Sequence, residues 1–167
     1  MVIEVSLIIP SQNADIKLHE LLRGIPNWER VPNEIIIVDS SEKESIIPKD
    51  IELSIKKLNV DLLIIYENNL YPGHARNIGI STASNSVLAF LDTSTQPTGK
   101  WLSGGLSLMK VKNSDGVWGK TYYQANTFSS KIFRACTFGT KPIRTFPGSI
   151  LNKKIFNRCG LFIESAR

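Results

Sequence analysis

Apolar and polar positions along the chain alternate between two patterns. Mostly apolar runs occupy residues 2–9, 34–38, 61–66 and 87–91, the first two rich in β-branched residues. Short runs of this kind predict buried strands. The first is expected to end at Pro10. Between the runs the spacing turns helical. Ile16, Leu18, Leu21 and Leu22 predict a helix over 15–23, with Asp15 as its cap and Gly24 as its stop. Further helices are predicted over 50–58 after Pro48, from Pro72 to Ala83, and over 99–111 despite Gly104 and Gly105. Strands apolar on both faces, separated by helices, predict an α/β fold. The expected architecture is a Rossmann-like, doubly wound, mostly parallel sheet.

The pattern weakens after residue 112. A strand is expected over 116–124 and a short helix or loop over 128–135. Pro147-Gly148 signals a turn within 144–151, and Asn152 caps a helix that runs to Arg158 and stops near Gly160. There is no repeat, low-complexity segment or linker. The sequence divides into residues 1–111 and 112–167 of one continuous domain, expected to be incomplete at the C-terminus.

Composition narrows the class. With 42% hydrophobic and 21% charged residues the chain is not disordered. The apolar runs fall far short of the ~20 residues that cross a bilayer. The N-terminus carries Glu4 and no basic leader, so a signal peptide is not expected and a cytoplasmic location is. Cys136 and Cys159 lie too far apart for a zinc knuckle and read as a reduced pair. The net charge of +5 hides an asymmetry: residues 1–92 hold 8 Lys/Arg and 13 Asp/Glu, whereas residues 93–167 hold 12 and 2. The basic half is either a solvated surface, a face completed by further chain, or a site for an anionic partner. A phosphate-bearing substrate, an acidic membrane surface and nucleic acid all fit that last description.

Ligands of such sheets bind beyond the carboxyl ends of the strands. Those ends read Pro10-Ser11-Gln12-Asn13, Asp39-Ser40-Ser41, Glu67-Asn68-Asn69 and Asp92-Thr93-Ser94. The first turn has no Gly-x-Gly-x-x-Gly, which argues against NAD or FAD, and no phosphate-loop lysine motif exists. No Gly-x-Ser-x-Gly elbow accompanies the two histidines, His19 and His74, so a serine hydrolase is unsupported. His19 reads as a surface or packing residue. On residue chemistry alone, Asp39 and Asp92 read as residues that end strands and cap turns, and Arg76 as one that pairs with Glu67 on the surface.

Several segments taken in order resemble the family 2 glycosyltransferases. Val5-Ser6-Leu7-Ile8-Ile9-Pro10-Ser11-Gln12-Asn13 is similar to their opening Val-Ser-Val-Ile-Ile-Pro-Thr-Tyr-Asn. Glu34 to Ser41 resembles Glu-Ile-Ile-Val-Val-Asp-Asp/Ser-Gly-Ser, and Gly73 to Gly79 resembles Gly-x-Ala-x-Ala-Arg-Asn-x-Gly with a small shift. Phe90-Leu91-Asp92-Thr93-Ser94, with Pro97 and Trp101-Leu102 after it, is similar to the Phe-Leu-Asp-Ala-Asp region. Cys159 to Glu164 resembles Val-Gly-Gly-Phe-Asp-Glu. The match runs across nearly the whole chain.

The resemblance implies a glycosyltransferase A-type fold and transfer of a sugar from a nucleotide-sugar donor, most often a UDP-sugar, to an acceptor hydroxyl with inversion. Residues 1–111 then form the donor-binding half and 112–167 the start of the acceptor-binding half. By the same resemblance Pro10 and Ser11 line the base pocket and Asp39 accepts from the base. Arg76 approaches the diphosphate, and Asp92 binds ribose or metal. Gln12 stands where the family has a stacking Tyr, and Ser94 replaces the second acid of Asp-x-Asp. Mg²⁺ or Mn²⁺ is therefore expected to bind weakly, through Asp92. The general base is expected beyond Arg167, with Glu164 structural and Cys159 buried. The acceptor is expected to be anionic or lipid-linked, reached by peripheral association with the inner face of a membrane, and no nucleic-acid partner is expected. The alternative is a non-catalytic nucleotide-binding or interaction module on the same fold.

Overall fold

The computed structural model describes residues 3–44, 46–125, 127–137, 139 and 141–165. Val2, where the first strand is expected to open, lies outside them, as does Arg167. In chain order the elements are β1 (Val5–Ser11), α1 (Asp15–Gly24), a short 3-10 turn, β2 (Glu34–Asp39), α2 (Lys49–Lys56), β3 (Asp61–Tyr66), α3 (Pro72–Thr82) and β4 (Val87–Phe90). They continue with α4 (Trp101–Lys112), β5 (Gly116–Thr121), α5 (Phe128–Thr137), β6 (Ile143–Asn152) and α6 (Lys154–Cys159). One six-stranded sheet has the order β3-β2-β1-β4-β6-β5. β1 to β4 run parallel, and β6 is antiparallel to both β4 and β5.

The strand residues divide by face, as period 2 requires. Val5, Leu7, Ile9, Ile35 and Ile37 pack under Leu18, Leu21 and Leu22 of α1, Ile51 and Ile55 of α2 and Leu102 and Leu106 of α4. Ile8, Ile36, Val38, Leu88 and Phe90 pack under Ala75 and Ile80 of α3 and against Phe156 of α6 and Phe162. β3 departs from the expected burial on both faces: at the sheet edge Leu63 and Tyr66 are each 41% exposed.

Three sequence expectations change. Pro10 does not end β1, because it pairs in register with Val38 and the strand runs on to Ser11. Residues of a parallel strand address alternate neighbours. Ile8 O accepts from Leu91 N and Ser11 O from Ser40 N, so Pro10 faces the β4 side, where β4 has already ended. Its missing N–H leaves no ladder bond unmade. Pro147-Gly148 likewise makes no reversal. β6 passes through it as a bulge, marked by the register shift between Val117 and Gly119, with Gly148 at φ +90°. Trp101 Nε1 donates to Gly148 O at 2.8 Å and holds the bulge against α4. Cys159 is exposed, not buried, since α6 turns Ile155 and Phe156 to the core and ends at that cysteine. Both cysteines are free.

Smaller differences lie at helix ends. Asp15 is the first residue of α1, and Ala14 holds the cap position. Asn152 closes β6, yet its Oδ1 accepts from Lys154 N at 3.1 Å and so marks the start of α6.

α3 crosses β1 closely enough that residue 79 has no room for a side chain. A Cβ there would stand 2.5 Å from Ile8 Cγ2, and Ile8 is fully buried. Gly79→Ala is expected to destabilise by about 1–3 kcal/mol, lowering Tm by roughly 2–10 °C in thermal denaturation. Gly104→Ala is the control. A Cβ there meets nothing within 4 Å, and the helix gains up to about 1 kcal/mol.

Candidate functional site

The order of the sheet reverses at β1: the chain leaves it for β2 on one side and returns to β4 on the other. That switch point opens a crevice beyond the carboxyl ends of the strands. A cavity of about 210 Å³ occupies it. β1 supplies Pro10 and Ser11 with Gln12 after them, the turn after β2 supplies Ser40, α3 and its approach supply Leu70, Pro72, Ala75 and Arg76, and the turn after β4 supplies Asp92 and Thr93. Pro10, Ser11, Arg76 and Asp92 are thus brought together; Asp39 is not among the lining residues.

Arg76 and Asp92 lie 16 residues apart in sequence and pair across the crevice. Arg76 Nη2 donates to Asp92 Oδ1 at 2.6 Å, with the two side chains 14% and 35% exposed. Glu67 is not the partner. The guanidinium also sits 5.5 Å from the ring centre of Phe146 and 5.8 Å from that of Phe162. The β6 bulge and the segment after α6 deliver those rings. Arg76 Nε is buried without a hydrogen-bond partner, and so is Ser11 Oγ. Two buried polar groups left unmade on one cavity are costly unless something else satisfies them. Asp92 does not cap its turn with its side chain. The turn closes through backbone, Thr95 N to Asp92 O at 2.8 Å.

Asp39 is 1% exposed. Its Oδ1 accepts from Ser41 N at 3.2 Å and from Ser41 Oγ at 2.5 Å, while Ser41 Oγ accepts from Asn13 N at 2.7 Å. The carboxylate therefore fastens the turn after β2 to the turn after β1, with Ser40 carried into the cavity wall. Beside it in register, Tyr66 is held above the usual phenol range, first by burial and then by the carboxylates of Asp39, Glu44, Asp15 and Glu52. It stays protonated across the physiological range.

Asn77 carries a role that sequence reasoning missed. It is 5% exposed. Its Nδ2 donates to Phe162 O at 3.0 Å and to Glu164 Oε1 at 3.2 Å, and its Oδ1 accepts from Phe162 N at 2.9 Å. The residue after Arg76 thus clamps the backbone that places Phe162 against the guanidinium. The available signal was the polar residue inside the Arg76-Asn77 motif, on a buried helix face. Glu164 serves this clamp, 3.9 Å from His74 Nε2. His19 sits on the surface side of α1, with Nε2 3.0 Å from Ile46 O.

The sequence matches the family described as Glycosyl transferase family 2 over residues 6–162. The chain belongs to that family. The glycosyltransferase AglE of Haloferax volcanii is 28% identical over 163 residues, covering 96% of this chain and 52% of AglE. The GalNAc(5)-diNAcBac-PP-undecaprenol beta-1,3-glucosyltransferase of Campylobacter jejuni is 24% identical, with 92% and 55% covered. The chain spans about half the length of these relatives. Among solved structures, residues 1–349 of S. aureus TarS in complex with UDP-GlcNAc superpose with a TM-score of 0.63 at 18% identity, over 96% of this chain and 48% of that one. The mannosyltransferase PcManGT of Pyrobaculum calidifontis, in complex with GDP-Man and Mn²⁺, gives 0.63 at 15%, over 98% and 48%. These likenesses establish the glycosyltransferase A-type fold.

The residues here do not make a metal site by themselves. Among the described residues that line the cavity Asp92 is the one carboxylate, its Oδ1 is engaged by Arg76, and exposed Ser94 stands where a second acid would be. No group of three His, Cys, Asp or Glu side chains among the described residues is placed to hold an ion. Divalent ions of this class want several hard oxygens. Mn²⁺ titrated into the ligand-free protein is expected to give no calorimetric binding below about millimolar concentration. A tight site would contradict the pairing of Asp92 with Arg76.

Proposed function

We propose that the protein binds a nucleotide-sugar donor in the crevice above β1 and β4 and transfers the sugar to an acceptor hydroxyl with inversion. The observation that carries this reading is the cavity itself. A half-buried arginine whose Nε is unpaired and a buried serine whose Oγ is unpaired both line one space at the switch point of the sheet. That space suits an anionic, hydroxyl-rich ligand. At about 210 Å³ it takes part of a nucleotide sugar, the rest extending outward along the rim.

In this reading Pro10, Ser11 and the Ser40–Ser41 turn form the base side, with Asp39 holding that turn in place. Arg76 takes the diphosphate, and Asp92 orients Arg76 and accepts from a ribose hydroxyl. The acceptor oxygen loses its proton to a carboxylate base and attacks the anomeric carbon. The bond to the diphosphate breaks and the nucleoside diphosphate leaves with both electrons, its charge met by Arg76. Asp92 is not that base in this reading, because its Oδ1 is already engaged by Arg76. Residues 1–111 are the donor half and residues from 112 onward begin the acceptor half. A lipid-linked acceptor at the cytoplasmic face of a membrane fits the basic second half, and the Campylobacter relative is named for an undecaprenol-linked substrate. No helix among the described residues is long and apolar enough to cross a membrane.

Calorimetric titration with UDP, GDP and a UDP-sugar tests the donor site. A Kd below about 1 mM for UDP is expected. No binding by any nucleoside diphosphate, with or without Mn²⁺, overturns the reading.

A further inference from the structure

One helix of this protein turns its apolar side outward. No residue of α5 is buried, and Phe128, Ile132 and Phe133 are 80%, 50% and 52% exposed. At helical spacing Phe128, Ile132, Ala135 and Cys136 share one side. Ser130 and Arg134 lie opposite, and they are the partly covered residues. A helix built to pack on its own sheet does the reverse. The segments on either side of α5 also expose apolar residues, Trp118 on β5 at 60%, Tyr122 just after it at 64% and Ile143 on β6 at 41%.

The charge around this face has one sign. Residues 116–144 contain Lys120, Lys131, Arg134, Lys141 and Arg144 and no acidic residue. Lys120 and Arg144 are register partners on β5 and β6. None of the five takes part in an ion pair among the described residues. The face also has a definite place. β5 and β4 are both antiparallel to β6, so β5 ends on the rim where β4 ends. α5 follows that end, beside the rim that carries Asp92 and the cavity.

We propose that α5 and the flanking strand ends dock on an anionic lipid bilayer, with the apolar side of α5 in the headgroup region and Lys120, Lys131, Lys141 and Arg144 over acidic lipid. Aromatic and aliphatic residues ringed by Lys and Arg are the composition of an interfacial helix. A second copy of this chain is the poorer occupant, since a two-fold contact sets the same cations against each other. Nucleic acid would leave the apolar side in water. The docking stands on this surface alone. Its use, to bring a lipid-linked hydroxyl to the donor cavity, rests on the function proposed above.

The test is co-sedimentation with phosphatidylcholine vesicles, with and without about 30 mol % phosphatidylglycerol. Cys136, on the apolar side of α5, carries a polarity-sensitive fluorophore in a Cys159→Ser background. Binding is expected at least tenfold tighter to the anionic vesicles, with a blue shift of the fluorophore, and to weaken as salt rises from about 0.1 to 0.5 M. Phe128→Ser with Ile132→Ser is expected to lower partitioning by tenfold or more, and Lys120→Gln with Arg144→Gln by about fivefold per cation. All four side chains are exposed, so folding is retained, and circular dichroism verifies it. Three results overturn the proposal: no binding to anionic vesicles, binding unchanged by these substitutions, or a lipid-free dimer that the Phe128/Ile132 pair converts to monomer. UDP calorimetry on the same protein separates the two readings. Docking without UDP binding sinks the donor site alone, and UDP binding without docking sinks the lipid face alone.

Discussion

Arg76→Ala is expected to weaken nucleoside diphosphate binding by roughly 10–100-fold. A charged hydrogen bond to a buried partner is worth about 1.5–3 kcal/mol, and the guanidinium is the cation on the cavity. The substitution removes the group that would meet the diphosphate. It leaves Asp92 as an unbalanced negative charge in the same space, which repels an anionic ligand further. Arg76→Lys is expected to recover part of the affinity, because the charge remains while the planar fork and its contacts with the Phe146 and Phe162 rings do not. Folding should survive either change, since Asp92 is 35% exposed and water takes up its charge. Calorimetry with UDP reads the affinity and thermal denaturation reads the fold. Unchanged affinity would make Arg76 a packing residue with a surface ion pair.

Phe90→Ala is expected to be the most destabilising single change, by about 3–5 kcal/mol, with a fall in Tm of roughly 6–20 °C. Phe90 is 1% exposed. Its ring centre lies 4.9 Å from Phe146, 6.1 Å from Phe156 and 6.3 Å from Phe162. Phe146 and Phe162 lie in turn 4.8 Å apart and flank Arg76. The cavity left by alanine removes the floor under both rings, so nucleotide affinity should fall along with stability. Phe90→Leu keeps most of the volume and is expected to cost nearer 1 kcal/mol. Denaturant unfolding measures the stability term. A loss below about 1 kcal/mol for the alanine variant would mean that the aromatic cluster is not cooperative packing.

The reach of sequence reasoning follows from which signals are local. β1, β2 and β4 were legible because a strand covered on both faces is apolar along most of its length, and few other environments select such a run; β3 shared the pattern although it lies at the sheet edge. The placement of Pro10, Ser11 and Asp92 on one cavity followed, since strand ends of a doubly wound sheet converge by topology, whereas Arg76, inside α3, was placed by the family resemblance alone. Asp39 was legible as a strand end, but its withdrawal from the cavity surface was not. That depends on Ser41 and Asn13, whose meeting is set by the spacing of β1 and β2. Cys159 was misread because a six-residue helix has no periodicity long enough to tell its faces apart.

By itself, then, the sequence determined the α/β order, the apolar layers and the family, because each is written in short-range pattern or in motif order. The tertiary structure alone decided the partners. The pairing of Arg76 with Asp92 joins α3 to β4, the Asn77 clamp on Phe162 spans 85 residues, and the β6 bulge sets Phe146 against the guanidinium. Pro147-Gly148 satisfies the chemistry of a turn and of a bulge equally, and only the neighbouring strand β5 and Trp101 select between them. The outward face of α5 was decided in the same way. A helical pattern specifies which side is apolar, whereas which side meets the sheet is settled by the strands that carry the helix.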